Sequence, residues 1–99
     1  MTTLEREIEA KLVDLIEAHG GMCLKWTCPG WAGVPDRIVL LPGGRLIFVE
    51  LKRPKGGNLS SRQRWWGSKL QRLGFSWYVI KDGGGLEDFK KTIEQEGKA

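Results

Sequence analysis

Two apolar, β-branched runs separated by Pro42-Gly43-Gly44 constrain this chain more than any other stretch. Residues 33–52 read Gly-Val-Pro-Asp-Arg-Ile-Val-Leu-Leu-Pro-Gly-Gly-Arg-Leu-Ile-Phe-Val-Glu-Leu-Lys. Pro-Gly plus Gly-Gly in so short a gap is a hairpin signal, so the segment reads as two antiparallel strands. A three-residue loop sets Leu41 opposite Arg45, and Asp36 then falls opposite Glu50. Directly opposed residues share a face, with Cβ atoms about 4.5–5.5 Å apart. Period-2 alternation puts Lys52 on that face beside Glu50, and leaves Ile47, Val49 and Leu51 on the other as core.

Two carboxylates this close cost free energy unless a cation sits between them or one keeps its proton. A hard divalent ion such as Mg²⁺ takes such a site through one or two carboxylates and keeps waters for a substrate phosphate. A neighbouring lysine stabilises developing negative charge or orients an attacking water. The alternative is an ordinary cross-strand pairing, Glu50 with Lys52 or Asp36 with Arg37, on a solvated face. Short motifs match by chance, and it is the register that favours the metal site.

The remaining elements follow from periodicity and punctuation. Residues 3–19 read as a helix with Leu4, Ile8, Leu12, Leu15 and Ile16 at helical spacing, stopped by Gly20-Gly21. Val13 joins that apolar arc, and Glu5 and Glu9 fall inside it, whereas Glu7, Asp14 and Glu17 fall outside. A carboxylate on the buried side needs a partner. Thr2-x-x-Glu5 fits a capping box, which accounts for Glu5 but not for Glu9.

Residues 22–28 form a short strand, and Pro29-Gly30-Trp31-Ala32-Gly33 is a glycine-rich loop leading to Asp36. Trp31 near its tip either stacks on a base or wedges into a junction, or packs on its own domain or a second subunit. Arg53-Pro54-Lys55-Gly56-Gly57-Asn58 is a basic loop past Lys52, of a kind that is usually just solvated.

Ser60 or Ser61 caps a second helix that runs to Leu73 and stops at Gly74. Its Gln63, Trp66, Leu70 and Leu73 share one arc, expected to pack on the sheet. Arg62, Trp65, Lys69 and Arg72 gather on the flank as a basic stripe with an embedded aromatic. Gln63 also fits a Ser60-x-x-Gln63 capping box. Residues 75–81 are apolar on both faces, as expected of an interior parallel strand reached by a helical crossover. Asp82-Gly83-Gly84-Gly85 then opens a last helix with Leu86, Phe89 and Ile93 as its buried stripe.

The order is αβββαβα: an α/β protein, a mixed β-sheet flanked by helices, in one domain over residues 1–99. Sixteen Lys and Arg against 12 Asp and Glu give a net charge of +4 and a pI near 9.3, which suits a polyanion. Cys23, Cys28 and His19 are too few for a zinc site or a histidine-based nuclease, so any metal must be held by oxygen. No stretch is apolar enough to span a membrane or act as a signal peptide. A cytoplasmic protein with reduced thiols is expected.

Gly33-Val34-Pro35-Asp36, then Glu50-Leu51-Lys52, then Gln63 resemble the VRR-NUC branch of the PD-(D/E)XK nuclease superfamily. The resemblance runs from about Glu5 to Asp82. It implies a restriction-endonuclease-like core and a Mg²⁺- or Mn²⁺-dependent endonuclease of bacterial or phage type that hydrolyses phosphodiester bonds in DNA. Carried over residue by residue, it implies that Asp36, Glu50 and the Leu51 carbonyl bind the metal while Lys52 and Gln63 position the attacking water. Glu9 resembles the helical Glu of junction-resolving relatives and is expected to complete the metal shell.

The resemblance further implies branched or flapped DNA as substrate and a homodimer like the small stand-alone resolvases. Trp31, Arg53, Lys55, Arg62, Lys69 and Arg72 are the expected DNA contacts, and Trp31 and Trp65 offer area for a dimer interface. The competing expectations are a monomeric nuclease that nicks flaps or single strands, a DNA-binding module without chemistry, and a purely structural protein.

Overall fold

The computed structural model describes residues 3–97. Helix α1 spans Thr3–Ala18, and it is followed by β1 (Met22–Lys25), β2 (Arg37–Leu41), β3 (Arg45–Leu51), α2 (Ser61–Arg72), β4 (Ser76–Ile80) and α3 (Gly83–Glu96). Thr2, half of the expected capping box with Glu5, and the side chain of Leu4 lie outside the described residues.

The hairpin forms in the expected register. Leu41 pairs with Arg45, Val39 with Ile47 and Arg37 with Val49, so continuing the ladder by one step sets Asp36 against Glu50. The loop achieves this with Gly43 and Gly44 at φ of 85° and 75°, a left-handed conformation that a side chain resists. Strand β1 adds antiparallel to β2, with Leu24 opposite Ile38. It ends at Lys25, earlier than residue 28, because the chain leaves the sheet for the glycine-rich loop.

The crossover through α2 returns the chain parallel to β3, which gives the sheet order β1-β2-β3-β4. Here the expectation of an interior strand fails: β4 has β3 on one side and forms an edge. Apolar residues on both faces report covering layers above and below, and they carry no information about neighbours along the sheet. Those layers are α3, whose Phe89 ring stands 5.3 Å from that of Tyr78, and α2, whose Gly67 lies on Trp77.

Helices α1 and α3 close one face of the sheet. Ile8, Leu12 and Ile16 from α1 and Phe89 and Ile93 from α3 enclose Val39, Leu41, Ile47, Val49, Leu51 and Ile80. At about 25 cal/mol per Å² of apolar surface removed from water, this burial is the main source of stability.

The opposite face is covered by α2 only over β4. A Cβ on Gly67 would stand 2.5 Å from the Trp77 ring, so only glycine lets helix and strand approach this closely. Leu70 is buried there, but Leu73, expected on the same arc, is 60% exposed. The helix has ended at Arg72, and Leu73 is its C-cap, beyond the packed turn. Met22 and Leu24 on β1 are also exposed.

Candidate active site

Asp36 enters β2 behind the buried Pro35, and its Oδ2 accepts a hydrogen bond from the Leu51 amide at 2.8 Å. The same residue's carbonyl accepts from the Trp26 amide at 3.0 Å, which ties the end of β1 to the site. Glu50 is the lone charged residue among the buried ones described, at 2% exposure. Burial, then a hydrogen bond to Asp36 and the charge of Asp36, push its pKa from an ordinary 4.5 up to about 9, against the pull of Lys52. In the absence of a cation Glu50 therefore holds a proton at neutral pH and shares it with Asp36.

Gln63 makes both of the contacts that its sequence context allows. Its Oε1 accepts from the Ser60 amide at 2.8 Å while Ser60 Oγ accepts from the Gln63 amide at 3.1 Å, completing the capping box. Its Nε2 donates to Glu50 Oε1 at 3.2 Å. One amide thus starts α2 and fixes the buried carboxylate.

Lys52 is half-buried at the end of β3, its amide donating to the Ile80 carbonyl at 3.0 Å. It lines a groove of about 470 Å³ with Glu5, Leu51, Arg53, Gly56, Gly57 and Asn58. Arg53 Nε stands 3.9 Å from Glu5. The Leu51 side chain belongs to the core at 3% exposure, so only its backbone faces the site.

Glu9 finds a partner that its helical position demands and that sequence reasoning missed. Arg37 Nε donates to Glu9 Oε2 at 3.0 Å, and Arg37 Nη1 donates to the Cys23 carbonyl at 3.1 Å. The sequence placed Arg37 beside Asp36, but alternation turns it to the α1 side of the sheet. Glu9 still borders a small groove of about 190 Å³ with Lys25, Trp26, Thr27 and Asp36. Glu5 and Glu9, one helical turn apart, therefore line two different grooves, Glu5 with Lys52 and Glu9 with Asp36.

The donor set suits a hard divalent cation in kind. Two facing carboxylates, one of them buried and forced to keep a proton, gain their full charge when a cation replaces that proton. Among the described residues no group of three or more His, Cys, Asp or Glu gathers: the structure brings Asp36 and Glu50 together and holds Glu9 on Arg37 instead.

The expected DNA-contacting residues divide between two segments. Arg53 and Lys55 are exposed on the loop after β3, and Arg62, Lys69 and Arg72 are exposed on α2. Trp31 is 52% exposed, and the loop that carries it is clamped: Trp66 Nε1 donates to the Ala32 carbonyl at 3.0 Å. Gly33, at φ of 84°, lies against α2 so closely that a Cβ would stand 2.6 Å from Arg62 Cβ. Trp26 and Trp66 join the site without having been expected there. The adjacent Trp65-Trp66 pair was the available signal for Trp66, and no sequence pattern singled out Trp26.

No family model matches the chain. Fifty of its residues are 50% identical to the "Putative nuclease p44" of Acyrthosiphon pisum secondary endosymbiont phage 1, a match covering 50% of this chain and 54% of that protein. The alignment thus spans about half the length of the relative. A solved structure, "VRR_NUC domain", superposes with a TM-score of 0.85 at 24% identity, covering 91% of this chain and 97% of the other. The motifs around Asp36, Glu50 and Gln63 therefore sit in a chain that has the VRR_NUC fold.

Proposed function

We propose that this chain is a divalent-metal-dependent endonuclease that hydrolyses phosphodiester bonds in DNA, built as one nuclease domain over residues 1–99. The observation that carries the reading is the buried Glu50, set against Asp36 by the hairpin register and held by Gln63. A protein gains nothing in stability from burying a carboxylate opposite another. The fold and the named phage relative agree with this reading.

Mg²⁺ or Mn²⁺ held by Asp36, Glu50 and the Leu51 carbonyl would polarise the scissile phosphate and make a bound water more acidic. The Leu51 amide fixes Asp36 and the Gln63 amide fixes Glu50, so neither carboxylate has to be ordered when substrate arrives. Lys52, beside Glu50, stabilises charge developing on the phosphate and with Gln63 positions the attacking water. Glu9 completes the donor set, directly or through water, by exchanging its bond to Arg37.

Arg53, Lys55, Arg62, Lys69 and Arg72 hold the DNA backbone. The substrate is flapped or branched DNA. A symmetric dimer with two sites would make the paired cuts that a four-way junction needs. The second reading, a monomer that nicks flaps, is favoured by the exposure of Trp31 and Trp65, which leaves both free to meet DNA. The protein would act in the cytoplasm of a bacterial host; no described helix is long and apolar enough to cross a membrane.

Labelled junction, flap and linear duplex substrates, incubated with wild type and Asp36→Ala in Mg²⁺, Mn²⁺ or chelator, test this. Metal-dependent cleavage lost in the variant is the expected result. Sedimentation with and without junction DNA decides the oligomeric state, and a mass near the 11.2 kDa chain would remove the resolvase reading.

A further inference from the structure

We propose that Trp31, Trp65 and Arg62 form a rigid stacking platform for unpaired DNA bases, which directs the active site to places where a duplex opens into single strand. The proposal rests on the nuclease reading and specifies its substrate.

The rings form a connected row. Trp31 stands 5.8 Å from Trp66 at 77°, and Trp66 stands 5.3 Å from Trp65 at 90°. Trp66 is the anchor, half-buried and bonded to the Ala32 carbonyl, while the outer two rings are 52% and 41% exposed. Arg62 Cζ lies 5.3 Å from the Trp65 ring centroid, adding a cationic plane to the row.

The row leads back to the chemistry by two routes. Trp66 meets Trp26 at 5.7 Å, and the Trp26 amide is bonded to the Asp36 carbonyl. Gln63, which holds Glu50, lies in the turn of α2 between Arg62 and Trp66. A base on this platform is therefore attached to a strand whose backbone is near the carboxylates.

Charge selects the occupant. From Leu51 to Lys81 the chain has eight basic residues and no acidic one. A second copy of this face would bring Arg62, Arg64 and Lys69 against their own counterparts with nothing to neutralise them. A nucleic acid strand supplies phosphates for those cations and aromatic faces for the tryptophans. Duplex DNA keeps its bases stacked internally, so only unpaired ones can use the rings. The clamp on the Trp31 loop matters here, because a platform ordered before binding loses little freedom on binding.

The test is binding in chelator on an Asp36→Ala background, which separates recognition from cleavage. Tryptophan fluorescence and anisotropy are followed with single-stranded oligothymidylate and with blunt duplex. Trp31→Ala and Trp65→Ala should each weaken single-strand binding about tenfold. Duplex binding should change far less, Trp31→Phe should recover part of the loss, and Met22→Ser on β1 should have no effect.

Undiminished single-strand binding in both tryptophan variants would overturn the platform. So would an equal loss on duplex, or a fall in molecular mass in the variants, which would assign the rings to a subunit interface. A wild-type protein that binds single strands through these rings yet cuts no DNA would refute the nuclease reading and leave the platform standing.

Discussion

The two faces of the sheet solve opposite problems. The face under α1 and α3 is closed by aliphatic side chains, with Leu12, Ile16, Val39, Val49 and Ile93 at or below 1% exposure. The two segments that cover it, residues 5–17 and 82–96, hold ten of the chain's 12 acidic residues. The face under α2 is partly open, aromatic, and bordered by the basic run after Leu51. Glu50 sits at 2% exposure where the buried and open regions meet. One face thus supplies stability and carries most of the negative charge, and the other, less well packed, is the face we propose for the polyanion.

The largest expected effect is on cleavage. Asp36→Ala, Glu50→Gln and Lys52→Ala should each reduce the rate by at least about a hundredfold, the scale of losing one group that stabilises the transition state. Circular dichroism and DNA binding in chelator should stay near wild type. A wild-type-like rate in any of the three would dissolve the distinction between a functional and a structural face.

The next effect is on stability and tests the closed face. Leu12→Ala or Ile93→Ala should cost about 2–5 kcal/mol by denaturant titration, the range for truncating a buried aliphatic residue. Met22→Ser on the open face should stay within about 0.5 kcal/mol. Equal costs would mean that the open face is covered in solution.

Stability should also depend on pH through Glu50. Its folded pKa of about 9 lies above the ordinary 4.5, so the folded state binds the extra proton throughout that window. Unfolding stability contributed by this group is then full below pH 4.5 and declines as pH rises toward 9. Glu50→Gln should flatten the fall of melting temperature over that range, and Mg²⁺ or Mn²⁺ should raise the wild-type melting temperature most at its upper end. A parallel fall in the variant would mean that the Glu50 proton is not coupled to folding.

The smallest effect concerns the basic flank. Neutralising Arg62, Lys69 or Arg72 singly should lower the slope of log affinity against log salt by about one, with no change in sequence preference. An unchanged slope would place the DNA elsewhere.

Whatever depended on local period and turn chemistry was legible in the chain. The Pro42-Gly43-Gly44 loop sets a register, and a register sets which side chains oppose, so the meeting of Asp36 and Glu50 follows from the local sequence. The Ser60–Gln63 capping box was equally local.

Tertiary structure decided what period cannot express. Alternation along residues 76–80 shows two apolar faces, but only the assembled strand order makes β4 an edge, and only the docking of α2 and α3 covers both its faces. The arc of α1 shows that Glu9 needs a partner, but choosing Arg37, 28 residues away, requires helix and strand to be packed together. Five tryptophans are visible in the composition. The row linking Asp36 through Trp26 and Trp66 to Trp31 and Trp65 exists only because a loop and a helix far apart in sequence close on one glycine, Gly33. Local sequence determines backbone geometry and facing, whereas partners far along the chain depend on the free energy of the whole packed arrangement.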